Sequence, residues 1–141
     1  MSLFRKLKEP VFLTESRSAE LKLEQLQSID ANRLPADVRG RLEDEIKRTI
    51  LGMKGERNLA YELQNSYMPM IVLQDLFLEQ GTSSAQVDFL VITRKCVFVI
   101  ECKNLYGNIQ INSNGNFIRT VDWGAKKEEG MYSPVRQIRC T

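Results

Sequence analysis

There is no histidine anywhere in the 141 residues. That absence excludes Ser-His and Cys-His nucleophilic pairs, HExxH zinc sites and imidazole general bases together. Cysteine is scarce as well. Cys96, Cys102 and Cys140 form no CxxC pair and leave an odd thiol, a pattern suited to a reducing, cytoplasmic setting. No apolar run approaches the ~18 residues that suggest a membrane span. The basic start MSLFRKLKEPVFLTES lacks the long apolar segment and small-residue cleavage site of a signal peptide. Charge of either sign is in short surplus: 20 Lys and Arg against 18 Asp and Glu leave +2. Nucleic-acid affinity would have to come from a local patch. Lys103, Arg119, Lys126, Lys127, Arg136 and Arg139 offer one, diluted by Glu128 and Glu129. Any chemistry therefore falls to carboxylates, amines, hydroxyls or a bound metal.

What is present suits one ordinary soluble domain with a helical extension, at 43% apolar and 27% charged residues. Residues 1–50 read as that extension and 51–141 as the main domain. AELKLEQLQSI places Leu23, Leu26 and Ile29 on one helical stripe. A second helix starts near Pro35, and Val38, Leu42, Ile46 and Ile50 predict its buried face. The two together read as an accessory helical hairpin or as an arm for a protein partner. GMKGE, residues 52–56, reads as a break before a new helix that ends ahead of Pro69. On that helix Leu59, Ala60 and Leu63 follow Glu56 at +3, +4 and +7, one stripe. Glu56 is then either a first-turn carboxylate favoured by the helix dipole or a group aimed into a site.

Strands follow. MIVLQDLFL (70–78), QVDFLVIT (86–93) and VFVIECK (97–103) predict three, with GTSS a loop between the first two. GNIQI and NFIRTVD predict a small hairpin turned by NSNG. SPVRQ predicts a helix start, with Ser133 as N-cap and Pro134 in the first turn. Helix, then strands, then a hairpin make an α/β or α+β fold. If Arg94 and Lys95 form a two-residue loop, Thr93 faces Cys96, Ile92 faces Val97, Leu90 faces Val99 and Asp88 faces Glu101. Apolar residues then match apolar residues until two carboxylates stand opposed, which costs stability unless compensated. Lys103, two residues on and ~7 Å further along the same face, brings one positive charge. A divalent cation would bring the rest, Mg2+ being suited to oxygen ligands, and the Cys102 carbonyl could join it. The alternative is a solvated strand edge carrying a surface ion pair. Two carboxylates, a cation and a lysine fit phosphodiester hydrolysis, which needs no histidine.

Asp88 followed by Glu101-Cys102-Lys103 resembles the PD-(D/E)xK metal-dependent nucleases. More specifically, GMKGERNLAYEL, VDFLVIT, VFVIECKN, YGNI and SPVRQ, in that order over 52–137, resemble the nuclease-related domain, NERD. The resemblance implies a restriction-endonuclease-like α-β-β-β core and a role in DNA processing. It implies Asp88, Glu101 and the carbonyl of Cys102 as ligands of Mg2+ or Mn2+, Lys103 as the catalytic lysine, and Glu56 and Gln137 as completing the site. The family's core usually continues through a helix and a strand beyond the Pro-x-x-Gln element, whereas this chain stops at Thr141. A truncated C-terminal side would expose apolar sheet and favour a homodimer or an accessory protein.

Overall fold

The computed structural model describes residues 6–122, 126–131 and 133. The helix start expected at Pro134, the site residue Gln137, the basic residues Arg136 and Arg139, and Cys140 lie outside the described residues. The fold is mixed α and β, as the residue patterns predict, and forms two compact units, 1–104 and 105–141.

In the first unit a short strand β1 (Val11–Phe12) leads to helix α1 (Ser18–Gln27), a 3-10 turn (Ala31–Arg33) and helix α2 (Ala36–Gln64). Strands β2 (Met70–Gln80), β3 (Ser83–Thr93) and β4 (Val97–Ile100) follow. Sheet order is β1-β2-β3-β4, with β1 parallel to β2 and the other pairs antiparallel. Leu59, Ala60 and Leu63 of α2 pack with Phe12 and Ile100 on a buried core of Met70, Val72, Phe89 and Val91. Helix α1 packs on α2, tied by Lys22–Glu45 and by Arg57–Glu20 at 2.8 Å.

The expected break at GMKGE is absent: α2 is one helix of 29 residues passing straight through 52–56. A glycine costs a helix about 1 kcal/mol relative to alanine, and the apolar stripe on the sheet outweighs two such terms. Glu56 is therefore mid-helix, and the first-turn dipole reading of it falls away. The buried stripe also differs from the four-residue repeat. Ile50 is 46% exposed, and Thr49 is buried in its place, its hydroxyl donating to Glu45 O at 2.9 Å. A step of four overshoots a 3.6-residue turn by about 40°, so three steps turn Ile50 roughly 120° away from Val38. Ile29, 44% exposed, lies beyond α1, which ends at Gln27.

The β3–β4 hairpin has the expected register, with Ile92 opposite Val97, Leu90 opposite Val99 and Phe89 opposite Ile100. Thr93 N–H donates to Cys96 O at 2.9 Å across the Arg94-Lys95 loop, and the Thr93 hydroxyl accepts from Cys96 N–H at 3.1 Å. The predicted strand over 97–103 ends early, at Ile100. GTSS is shorter than a loop, since β3 already begins at Ser83.

In the second unit β5 (Asn108–Ile111), β6 (Phe117–Asp122) and β7 (Lys126–Met131) form an antiparallel sheet in that order. NSNG turns the first hairpin: Asn112 Oδ1 accepts from the N–H groups of Asn114 and Asn116 at 3.0 and 2.9 Å, and Gly115 takes the left-handed φ of +74°. Strand β7, rich in Lys and Glu, escapes the apolar pattern; Arg119 of β6 pairs there with Glu129.

Candidate active site

Segment 101–104 leaves β4 and crosses α2 at Gly55. A Cβ on Gly55 would overlap the Asn104 side chain and stand 3.3 Å from Cys102 Sγ, so only glycine allows this approach. Asn104 Nδ2 fastens the crossing by donating to the Leu51 carbonyl at 2.7 Å. The consequence is that one helical turn of α2, carrying Glu56, is held against the end of the β3–β4 hairpin, carrying Asp88, Glu101 and Lys103.

Each carboxylate has a different setting. Asp88 Oδ2 accepts the Cys102 backbone N–H at 2.7 Å. Because the ladder stops at Ile100, it is this N–H, and not the Glu101 side chain, that meets Asp88 across the hairpin. The Glu101 side chain is only 6% exposed and pairs with Lys103, itself 36% exposed. The neighbouring Lys103 thus supplies the expected positive charge. Burial raises the Glu56 carboxyl above its ordinary value, and the charges of Asp88, Asp75 and Glu101 raise it further, against Lys103. Burial also raises Asp88, with Glu101 and Asp75 adding to it while the Cys102 N–H and Lys103 oppose it. The Cys102 thiol, half-buried against α2, is pushed up by burial and then by Asp88, Glu56 and Glu101. These side chains therefore feel one another, and negative charge is in excess.

Asp75 escaped the sequence reading, which took 70–78 as an apolar strand. A lone charge in MIVLQDLFL was the available signal. It lies opposite Asp88 in the β2–β3 register, between the pairs Gln74–Phe89 and Leu76–Val87, and has a left-handed φ of +52°.

Among the described residues no group of three or more Asp, Glu or Cys side chains is gathered closely enough to hold an ion; Glu101 is turned to Lys103. The donor set nevertheless fits a hard divalent cation in kind. It offers carboxylate oxygens and backbone carbonyl, and two of its carboxyls are raised partly by like charge, the condition that a cation relieves. Glu56 also borders a cleft of about 450 Å³ lined by Phe12, Ser16, Arg57 and Gln74.

A mixed sheet with a helix across one face, and carboxylates and a lysine where its β3–β4 hairpin meets that helix, is a nuclease-like α/β arrangement. Residues 51–140 match the nuclease-related domain, NERD, and the chain belongs to that family. Comparison with curated proteins and with solved structures returned no match. No helix among the described residues is long and apolar enough to cross a membrane.

Proposed function

We propose that this chain is a metal-dependent nuclease-type domain that hydrolyses DNA phosphodiester bonds. The observation that supports the reading is that Glu56, on the helix turn crossed at Gly55, feels the charges of Asp88, Glu101 and Lys103, within a chain of the NERD family. Asp88, Glu101 and the Cys102 carbonyl would hold Mg2+ or Mn2+, with Glu56 completing the set from the helix. The cation, when bound, supplies Lewis-acid neutralisation of charge developing on the phosphoryl group. Lys103, released from Glu101, orients the attacking water or stabilises that charge itself. The Glu56 carboxyl is raised by burial and by the charges of Asp88, Asp75 and Glu101, a condition that a bound cation would relieve. Gln137 is assigned to the same site on the resemblance alone. The division into an extension over 1–50 and a nuclease-related domain over 51–141 is kept in this reading, although the extension also supplies strand β1 to the sheet and shares α2 with the domain. The three scattered cysteines suit a cytoplasmic setting.

The closed Glu101–Lys103 pair favours one second reading: a nuclease-like module that binds nucleic acid or a protein partner without turnover. Incubation of the purified chain with plasmid and linear DNA separates the two. Cleavage that requires Mg2+ or Mn2+, stops with EDTA and is lost in Asp88→Asn and Lys103→Ala supports the nuclease. Equal DNA binding by all three proteins, with no cleavage by any, supports the module.

A further inference from the structure

The backbone at Asp75 is the one strand position among the described residues where a non-glycine residue has a positive φ. For an L-residue this conformation costs about 1–2 kcal/mol, and it persists only where the surroundings over-determine it. They do so here. Gln86 Nε2 donates to Asp75 Oδ1 at 2.6 Å, and the Ser16 hydroxyl donates to Oδ2 at 3.2 Å. Ser18 adds hydrogen bonds from its side chain and backbone N–H. Ser18 opens α1, whose N-cap Arg17 provides no side-chain cap of its own, so Asp75 caps that helix from the sheet. Alongside, Thr14 Oγ1 donates to Gln74 O at 2.8 Å and accepts Gln74 N–H at 2.7 Å. Burial would raise the Asp75 carboxyl, yet the donors from Ser18, Gln86 and Ser16 outweigh it and keep the group ionised.

The geometric consequence falls on Asp88. In a regular antiparallel ladder residues 75 and 88 would be directly opposed, the arrangement in which like charges repel most. The left-handed turn at Asp75 removes this pair from the ladder and commits its carboxylate to the segment 16–18. Asp88 is left free to take the Cys102 N–H. We propose that Asp75 is a positioning residue for the Asp88 carboxylate and that the segment 14–18, which lies outside the NERD-matched residues, holds it in place. Asp75 is not offered as a ligand. It acts through Asp88 and as a fixed negative charge behind it. The inference rests on the divalent-cation reading of the Asp88 site.

The test is Mn2+ binding measured by calorimetry on the full chain, beside DNA cleavage at saturating Mn2+ and thermal unfolding. Asp75→Asn keeps an acceptor and a residue tolerant of positive φ while removing the charge. It should weaken Mn2+ binding about 10- to 100-fold, the usual effect of losing a group that orients a metal ligand. Cleavage at saturating Mn2+ should stay close to wild type, a split that a merely structural role would not produce. Ser16→Ala/Ser18→Ala, with the carboxylate in place but its two hydroxyl donors gone, should move Mn2+ affinity in the same direction by a smaller factor. Wild-type affinity in both variants overturns the proposal while leaving the nuclease reading intact. Absence of Mn2+ binding by the folded wild type overturns both.

Discussion

Gly55 of α2 and Asn104, four residues past the end of β4, are in contact so close that no side chain can be added to the glycine. Gly52, one turn earlier, has nothing within 4 Å of where its Cβ would be. Two glycines of one helix therefore respond oppositely to alanine. Gly55→Ala forces residues 102–104 away from α2 and should cost about 1–3 kcal/mol, as overpacking does, with loss of whatever the site does. Gly52→Ala should stabilise by about 0.5–1 kcal/mol through helix propensity. Urea unfolding of both variants checks the contrast, and equal shifts would refute the crossing.

The raised carboxyls set a pH dependence. A carboxyl that titrates higher in the folded chain binds its proton more tightly there. Its favourable contribution is therefore present below the unfolded value and lost as pH rises through the folded one. For Asp88 and Glu56 the metal-free protein should lose stability as pH climbs from about 4, the ordinary carboxyl value, toward the raised folded values. Asp75, lowered in the folded chain, acts in the opposite sense at acid pH. Comparison with Asp88→Asn isolates the Asp88 part: in EDTA the variant should gain on wild type as pH rises. Near neutrality the gain should be on the order of 1 kcal/mol, typical of relieving a destabilised functional site. A stability difference that does not change with pH would contradict the Asp88 assignment.

Lys103 is the partner of a Glu101 side chain that is almost wholly buried. Lys103→Ala leaves that carboxylate uncompensated, and the expected cost is about 1–3 kcal/mol. The same change frees Glu101 toward a cation. Mn2+ affinity should therefore be retained or raised while cleavage is lost. Calorimetry together with a cleavage assay reads both, and a joint loss of Mn2+ binding and cleavage would place Lys103 in a different role.

Phe89 and Phe98 are on adjacent strands of one sheet but differ in burial, 1% against 50% exposed. Phe89→Ala should cost about 3–5 kcal/mol by leaving a cavity in the core. Phe98→Ala, on the edge strand β4, should cost less than about 1 kcal/mol. Guanidinium midpoints for the two distinguish a core at β2–β3 from one centred on β4.

Much of the site's framework is legible in the chain because it is local. The two-residue Arg94-Lys95 loop and the apolar matching around it dictate the β3–β4 register, since a slip of one residue would turn every side chain to the wrong face. The Glu56-Leu59-Ala60-Leu63 stripe follows from helical period alone, and Leu59, Ala60 and Leu63 do lie on the core. Glycines that read as punctuation were misjudged, because their meaning depends on what lies across from them. Gly55 marks a contact with a residue 49 positions away in sequence, not the end of a helix.

The succession of strands β2, β3 and β4, their hairpin register and the inventory of carboxylates and lysine were thus determined by the sequence, through short-range periodicity and turn geometry. Tertiary structure alone decided the rest. It carried α2 unbroken through two glycines, since burial of the helix face exceeds their cost. It released the chain from the ladder at Ile100, giving the Cys102 N–H to Asp88 and Lys103 to Glu101. It turned Asp75 left-handed because donors from residues 16, 18 and 86 converge on it. Such choices are sums over groups far apart in the chain, and no local window of sequence contains them.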